Sequence, residues 1–411
     1  MWLLYYAGMQ CYGLAIYFAS FFNAKAKAWI TGRKNLLDNI ASQLKSGEER
    51  IWLHCSSLGE FEQGKPLIER LRAEYPHYKI VLTFFSPSGY NQKRNDPSVD
   101  YVFYIPLDGP AVSKKFIKLI KPRLAFFVKY EFWHFYIFYL KKYKVPSFAF
   151  SSNFRPSQIY FKWYGFFFKK ILQRLTHIFV QNQDSLALLY KHNISNVTVS
   201  GDTRFDRVVA NANQSNRLHA IEDFIQNKQT LVAGSTWPAD MELLTRLINE
   251  CNDDYKFIIA PHEIDESKLQ LLEQKFTKTC VRYSRFDASM SNNQVLIIDN
   301  IGMLSALYRY ATLVYVGGGF GNGIHNILEA VVFGKPVIIG PRYKHFSEAN
   351  ELVKLKGAFS ISTYNDLKKI FDALKFDYDA LQQISSINKK YIEDKKGATT
   401  IISNYLKLNG Y

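Results

Sequence analysis

The sequence lacks any pair of cysteines close enough to form a zinc site or a disulfide scaffold. Its 411 residues contain four Cys, at positions 11, 55, 251 and 280. This usage is typical of a reducing compartment. The apolar fraction of 47% excludes a disordered protein, because disordered chains have too little apolar surface to bury. The length predicts about two or three domains of ~150 residues.

Charge is absent from residues 1–24, and basic residues follow at once. A secretory signal has the opposite order, whereas an apolar helix of about 20 residues can cross a ~30 Å hydrocarbon core. The sequence therefore predicts a membrane-anchor helix with a basic flank over residues 1–34. By the positive-inside rule, the body of the protein is then expected in the cytoplasm. A helix lying in the membrane plane and a buried first helix of a soluble domain are the alternatives.

An even charge distribution is also missing. Residues 1–200 carry 27 Lys+Arg and 12 Asp+Glu, whereas residues 201–411 carry 25 and 24. A uniformly basic nucleic-acid coat is thus excluded, and no nucleic-acid motif occurs. Aromatic and basic residues alternate in 130–142 and 161–170, which favours either core helices or a surface that lies on anionic lipid.

Short apolar runs alternate with helical patterns along the body, which predicts βαβ units and parallel sheets. We expect two doubly wound α/β domains facing across a cleft, at 35–207 and 229–411, joined by a polar linker at 208–228. The last helix of the second domain could pack back on the first. The predicted strands are 51–55, 80–84, 124–128, 146–150, 178–180, 230–233, 257–260, 295–298, 313–316 and 337–339.

The loop after the first predicted strand carries Glu60, three residues after Ser57. A capping box explains this spacing. The functional alternative is a general base: near a helix N-terminus the carboxylate should stay ionised and could accept a proton from an attacking hydroxyl.

Two motifs in the second half predict a nucleotide-sugar site. Ser235 and Thr236 follow a strand and precede a helix, which suits a phosphate, although an ordinary N-cap explains them equally well. Residues 317–323 contain five Gly, a costly composition unless the backbone approaches another group closely. His325 and Glu329 follow at a spacing of one helical turn, so we expect them on one helix face, where the carboxylate can bind ribose hydroxyls.

Other motifs are incomplete. Gly59 to Lys65 imitates a P-loop, but Pro66 occupies the position of the magnesium-binding hydroxyl. The segment from His262 to Glu266 lacks the second His of a zincin. No Gly-x-Gly-x-x-Gly occurs after a strand, and no Asp-x-Asp motif occurs at a strand end, so we expect a reaction without metal or cofactor.

In order along the chain, these segments resemble those of the Kdo (3-deoxy-D-manno-octulosonate) transferases, membrane-anchored GT-B glycosyltransferases of lipopolysaccharide synthesis. The matching segments are Leu53–Glu60, Tyr130–Trp133, Ser152–Arg155 with Ser157, Gly201–Asp206, Ala233–Thr236, Gly302–Leu304 and His325–Glu329.

The resemblance implies that Glu60 is the catalytic base and that CMP-Kdo is the donor. It implies a lipid A precursor (lipid IVA) as the acceptor and an anionic inner-membrane surface as a partner. The residues that it places around the CMP are Pro261, His262, Gly302, Met303, Leu304, Asn326, Ile327, Leu328 and Glu329, next to Ser235, Thr236 and His325.

The chain departs from the family pattern near the phosphate. Where the family has Pro-Arg-His-Pro-Glu-Arg, this chain has Pro261-His262-Glu263-Ile264-Asp265-Glu266, without the Arg. The alternatives are another GT-B enzyme with a UDP-sugar donor and a lipid-linked acceptor, or a membrane scaffold without catalytic activity.

Overall fold

The computed structural model describes residues 1–214, 216–252 and 254–411. These form two compact units, one of residues 1–207 with 396–411 and one of residues 208–395. Each unit contains a seven-stranded sheet in which the paired strands are parallel. The prediction of two Rossmann-like α/β domains is therefore confirmed.

The first sheet has the strand order β3-β2-β1-β4-β5-β6-β7. Its strands are β1 (Arg50–Cys55), β2 (Lys79–Phe84), β3 (Tyr101–Tyr104), β4 (Pro122–Val128), β5 (Ser147–Ser152), β6 (His177–Val180) and β7 (Val197–Val199). The helices of this part of the chain are α1 (Trp2–Ala19), α2 (Ala24–Thr31), α3 (Leu36–Gln43), α4 (Leu58–Glu74), α5 (Pro87–Lys93), α6 (Pro110–Ile120), α7 (His134–Lys142), α8 (Phe166–Leu172), α9 (Gln183–Lys191) and α10 (Thr203–Gln214).

The second sheet has the order β10-β11-β9-β8-β12-β13-β14. Its strands are β8 (Thr230–Thr236), β9 (Lys256–Pro261), β10 (Cys280–Arg282), β11 (Val295–Ile297), β12 (Leu313–Val316), β13 (Val337–Ile339) and β14 (Ala358–Ser360). Its helices are α11 (His219–Ile225), α12 (Pro238–Glu250), α13 (Glu266–Lys275), α14 (Leu304–Leu307), α15 (Leu328–Val331), α16 (Ser347–Lys354), α17 (Tyr364–Leu374) and α18 (Tyr378–Lys395). A final helix, α19 (Ala398–Leu408), belongs to the first unit.

Strand β1 shows why the sheets are covered on both faces. Ile51, Leu53 and Cys55 point into one apolar cluster, whereas Trp52 points into the other. Every residue of β1 is buried, as expected for a parallel strand between two layers of helices. Ile402 of α19 joins the cluster on the first of these faces. The final helix is therefore part of the first core.

The predicted membrane anchor with its basic flank, at residues 1–34, is not supported as a membrane-crossing helix. Helix α1 has 18 residues, which gives it a length of about 27 Å. The chain turns after Ala19, and Asn23 caps a second helix by accepting hydrogen bonds from the backbone N–H groups of Lys25 and Ala26. Within the described ranges of the chain, no helix is long and apolar enough to cross a membrane.

Helix α1 lies on the first domain. Tyr12 stacks on Phe85 at 6.2 Å between ring centroids, and a Cβ atom at Gly13 would lie 2.9 Å from Leu107. The opposite side of the helix exposes large apolar side chains, among them Leu4 at 72% and Phe18 at 63%. An apolar face is thus presented outward from the domain.

Candidate active site

Both sheets have a point where successive connections run to opposite sides, which opens a crevice at the carboxyl ends of the strands. In the first sheet this point lies between β1 and β4, and in the second between β8 and β12. Glu60 lies in the first turn of the helix that follows β1, and Glu131 lies in the loop that follows β4. Ser235 and Thr236 are the last two residues of β8, and the glycine-rich segment follows β12. Each sheet therefore brings its chemical groups to its own crevice.

Glu60 occupies the first turn of α4, where Ser57 is the N-cap residue. The Ser57 side chain makes no capping hydrogen bond. A carboxylate oxygen of Glu60 instead accepts the backbone N–H of Ser56. The reciprocal capping box is therefore not formed, although Glu60 does satisfy backbone N–H groups at the start of the helix.

The environment of Glu60 favours its neutral form more than the sequence indicates. Burial, and then the negative charge of Glu131, raise the pKa of Glu60 to about 7, against the opposing effects of the Ser56 N–H and Lys129. The expectation that the helix N-terminus keeps this carboxylate fully ionised is thus wrong, because desolvation and a like charge outweigh the helix dipole. A carboxylate with such a pKa is suited to general-base chemistry near neutral pH.

The sequence analysis placed Glu131 and His54 in segments that resemble the family but gave neither residue a role in this site. Oε2 of Glu131 lies 3.6 Å from Nε2 of His54 and accepts the indole N–H of Trp133 at 3.1 Å. His54 is completely buried, and its Nδ1 lies 2.9 Å from the hydroxyl of Thr83. The sequence feature that could have indicated Glu131 is its position, because it is a single carboxylate in an aromatic stretch directly after a predicted strand.

In the second domain, the end of β8 and the glycine-rich segment approach closely. A Cβ atom at Gly317 would lie 2.3 Å from the carbonyl oxygen of Ser235 and 2.7 Å from Cα of Thr236. Ser235 has a positive φ of 53°. The hydroxyl of Thr236 is buried and, among the described residues, has no hydrogen-bond partner. An unsatisfied buried hydroxyl is costly, so this atom is a candidate ligand-binding group.

Asp240 fixes the geometry of these two segments. Its Oδ1 accepts the Tyr315 hydroxyl at 2.7 Å, and its Oδ2 accepts the backbone N–H groups of Gly318 and Trp237, both at 2.9 Å. Asp240 is completely buried. The sequence offered no signal for this role, because an acidic residue in a first helical turn is common.

Three aromatic rings lie together directly after the end of β8. The rings of Trp237 and His262 stack at 4.4 Å, and those of His262 and His325 lie 4.6 Å apart. The indole N–H of Trp237 donates to Nε2 of His325 at 3.0 Å. The backbone N–H of His262 donates to the Thr236 carbonyl at 3.0 Å, so three predicted site residues meet here.

The prediction that His325 and Glu329 share a helix face is wrong. Helix α15 begins only at Leu328, because the backbone N–H of His325 donates to Gly317 at 3.1 Å and holds His325 against the glycine-rich segment. Glu329 accepts the side-chain amide of Asn326 at 3.0 Å.

Of the remaining predicted residues, Leu304 packs against Gly234. A Cβ atom at Gly234 would lie 2.7 Å from Leu304, which follows Gly302 and Met303, and 2.1 Å from the Tyr308 hydroxyl. Ile327 and Leu328 are almost completely buried. Pro261 ends β9, directly before His262.

Comparisons with known proteins agree with this arrangement. Residues 31–207 match the family model described as 3-deoxy-D-manno-octulosonic-acid transferase (kdotransferase). The 3-deoxy-D-manno-octulosonic acid transferase of Aquifex aeolicus is 27% identical over 332 residues, which cover 79% of this chain and 85% of that protein. The protein of the same name from Haemophilus influenzae is 25% identical, and the match covers 99% of this chain and 98% of that protein.

A solved structure with a similar fold is UDP-GlcNAc 2-epimerase from Neisseria meningitidis bound to UDP-GlcNAc. It has a TM-score of 0.62 and 14% identity, and the match covers 87% of this chain and 99% of that chain. At this identity the likeness is one of fold, and it agrees with two successive Rossmann-like domains.

Proposed function

Because residues 31–207 match the family model of the 3-deoxy-D-manno-octulosonic acid (Kdo) transferases and relatives of that name align with most of the chain, we propose that the protein is a glycosyltransferase of this family. It moves Kdo from CMP-Kdo to a lipid A precursor, lipid IVA, with inversion. The observation that carries the proposal is the position of Glu60. It lies at the carboxyl end of β1, beside the switch point of the first sheet, and burial together with Glu131 raises its pKa to about 7. A general base for a sugar hydroxyl needs such a pKa.

In this reaction Glu60 takes the proton of an acceptor hydroxyl while the hydroxyl oxygen forms a bond to the anomeric carbon of Kdo. The bond from that carbon to the phosphate oxygen breaks on the opposite face, and CMP leaves with the electron pair. The configuration is thereby inverted. We propose that the step requires no metal, because developing charge can be stabilised by fixed dipoles and hydrogen-bond donors.

The donor half of the proposal uses the crevice of the second sheet. The free hydroxyl of Thr236 and the backbone near Ser235 would contact the phosphate at the start of α12. Glu329 would bind the ribose hydroxyls, and the backbone around Leu328 and Gly302 would line the nucleotide. The Gly317 contact with Ser235 supports this assignment, since it brings both segments to one place.

In the proposed function, the protein reaches its lipid acceptor at a membrane surface. Helix α1 would lie in the plane of the inner membrane with its exposed apolar face in the lipid, and the body would stay in the cytoplasm. Trp163, which is 93% exposed beside Lys162, would add a second contact. Apolar groups next to basic ones favour an anionic lipid surface, where each basic residue contributes about 1 kcal/mol.

The deciding experiment measures the product mass after incubation of the full chain with CMP-Kdo and tetraacylated lipid A precursor. One or more added Kdo units are expected, and an unchanged acceptor would contradict the proposal. CMP, and not UDP, should raise the thermal unfolding midpoint. A UDP-specific shift would favour a different glycosyltransferase.

A further inference from the structure

We propose that the first domain binds a soluble organic phosphate with an aromatic ring, of the nucleotide class, in a basic cavity remote from Glu60. The cavity has a volume of about 830 Å³, a size common among small-molecule sites. It lies at the amino ends of β4 and β5, and all its lining residues belong to the first domain. The inference does not depend on the proposed function, because it concerns a different edge of the sheet.

Four basic side chains line the cavity, and none of the described residues that line it is Asp or Glu. Lys118, Lys121 and Lys144 are exposed and form no ion pair within the described ranges of the chain. The fourth, Arg123, lies 3.4 Å from a carboxylate oxygen of Glu49, and both side chains are more than half exposed. Three unpaired ammonium groups around one cavity suit a ligand with several negative charges.

Two of these lysines stand at helix ends with an unusual backbone conformation. Lys121 directly follows α6 and has a φ of 46°, and Lys144 lies two residues after α7 with a φ of 58°. Glycine is the usual residue in such a conformation, because a Cβ atom makes it costly. The two helix ends thus each bring a lysine to the same cavity, at positions where the backbone alone favours glycine.

The other side chains of the lining are tyrosine, aliphatic or proline. Tyr78, Tyr143 and Tyr411 are half-buried in it. The Tyr411 ring meets Phe148 edge to face at 5.3 Å between centroids, and its main-chain oxygen accepts the Tyr75 hydroxyl at 3.2 Å, so Tyr411 is held in place. Aromatic faces beside ammonium groups are the combination that binds the base and the phosphates of a nucleotide.

The cavity and helix α1 lie at opposite edges of the first sheet. Tyr12 of α1 stacks on Phe85, directly after the carboxyl end of β2, whereas the cavity surrounds the first residues of β4. The seven residues of β4 span about 23 Å. The exposed apolar face of α1 and the cavity therefore belong to different ends of the domain, which favours a phosphate from solution over a lipid headgroup.

The cavity also includes residues that follow the last helix. Gly410 and Tyr411 line it beside the start of β4, and they follow α19, whose Ile402 is buried against the first sheet. A ligand that contacts both segments binds only the state in which α19 is docked. Binding should therefore stabilise the folded domain by mass action.

Titration calorimetry with ATP and the full chain, without magnesium, tests the cavity. ATP should bind, and its affinity should fall as salt rises. Lys121→Gln with Lys144→Gln removes two of the unpaired charges, and we expect an ATP affinity at least about tenfold lower. The matched control is Lys191→Gln with Lys356→Gln, which removes two exposed positive charges, one of them also at a positive φ, of 61°. It should bind ATP as the wild type does.

Two further variants separate the ring from the phosphates and the cavity from the second domain. Tyr78→Leu should weaken ATP binding about fivefold, because it removes a stacking face, and should leave tripolyphosphate binding unchanged. Gly317→Ala, in the second domain, should leave ATP binding unchanged. ATP should raise the thermal unfolding midpoint of the wild type but not of the double lysine variant, and the same scans verify that each variant is folded.

Equal ATP affinity in the folded double lysine variant and in its control would overturn the inference, and so would loss of ATP binding in Gly317→Ala. Tripolyphosphate that binds as tightly as ATP would exclude a role for the ring and overturn the nucleotide class. Vesicles of anionic lipid that displace ATP would assign the cavity to a headgroup and overturn the soluble source. None of these results bears on Kdo transfer, which the product mass tests separately.

Discussion

The hydroxyl of Tyr5 donates a hydrogen bond of 2.8 Å to Oδ2 of Asp108, and this bond joins α1 to the loop that precedes α6. Asp108 is 1% exposed and also accepts the Ser113 hydroxyl at 2.8 Å and the Phe135 N–H at 3.0 Å. Burial raises the pKa of Asp108 to about 6. The helix is thus held in one orientation by a buried polar contact, and its apolar face points away from the domain.

Tyr5→Phe should lower the free energy of unfolding by about 1–3 kcal/mol, because a buried carboxylate loses a donor. Urea unfolding at pH 8, where Asp108 is ionised, measures this change. Tyr17→Phe, at an exposed position of the same helix, is the control and should have little effect. Equal stability of the two variants would show that the Tyr5 bond does not hold α1.

The exposed face of α1 should control attachment to lipid. Leu4→Asp with Phe18→Asp places two charges on that face, and we expect at least a tenfold loss of binding to vesicles that contain anionic lipid. Vesicle flotation measures the bound fraction. Leu408→Asp, at an 87% exposed position of α19, is the control and should float as the wild type. Retention of the double variant on vesicles would reject the in-plane helix.

Glu60→Gln should lower kcat about 10²–10⁴-fold, since a general base contributes that much, while CMP binding persists.

The same variant should change the pH dependence of stability. A carboxyl group whose pKa is raised by folding stabilises the folded state at low pH and loses that contribution as pH rises through about 7. Between pH 5 and pH 8, the free energy of unfolding of the wild type should therefore fall relative to that of the Glu60→Gln variant. Urea unfolding at the two pH values measures this difference. A Gln variant with near-normal turnover would refute the assignment of the base.

Glu131→Gln should move the pH profile of the reaction. The activity of the wild type is expected to rise with pH through about 7, as Glu60 loses its proton. Removal of the neighbouring negative charge lowers the pKa of Glu60, so the midpoint of kcat/KM should shift to lower pH. Glu263→Gln, at an exposed carboxylate of the second domain, serves as the control. An unshifted midpoint in folded Glu131→Gln would mean that this charge does not act on the base.

Gly317→Ala tests the close approach of the two donor-site segments. The new Cβ would lie 2.3 Å from the Ser235 carbonyl oxygen, so one segment must move, and we expect at least a tenfold weaker CMP affinity. Gly321→Ala is the matched control, since its Cβ would meet only the Gly318 carbonyl at 3.5 Å. Calorimetry with CMP compares the two, and equal affinities would exclude the predicted role of residue 317.

The periodicity of the sequence predicted most of the fold, because fully buried parallel strands have a distinctive apolar pattern. The apolar pattern did not predict four of the strands: β3 (Tyr101–Tyr104), β7 (Val197–Val199), β10 (Cys280–Arg282) and β14 (Ala358–Ser360). Each has three or four residues and lies at the edge of a sheet, where the apolar pattern is incomplete. The segment at 208–228, expected to be polar and without strands, contains the end of α10 and all of α11.

The positions of Glu60 and Ser235 at strand ends followed from the sequence, because one segment holds the whole signal for each of them. The roles of Glu131, His54 and Asp240 did not, because they depend on neighbours far away in the sequence. The helix face expected for His325 failed for the same reason: a hydrogen bond to Gly317, eight positions earlier, competes with helix formation. Contacts between residues far apart in the sequence therefore determine the parts of the site geometry that local residue spacing does not predict.

Helix α19 completes the first domain only after the second has been synthesised. Asp206 accepts the backbone N–H groups of Gly397 at 2.6 Å and Thr399 at 2.7 Å, and Ile402 is buried against the first sheet. On the ribosome, residues 208–395 are contiguous and can fold as one unit, whereas residues 1–207 must wait for the last helix. The first core is therefore complete only once α19 has been synthesised, and an amino-terminal fragment that ends at residue 207 lacks part of that core.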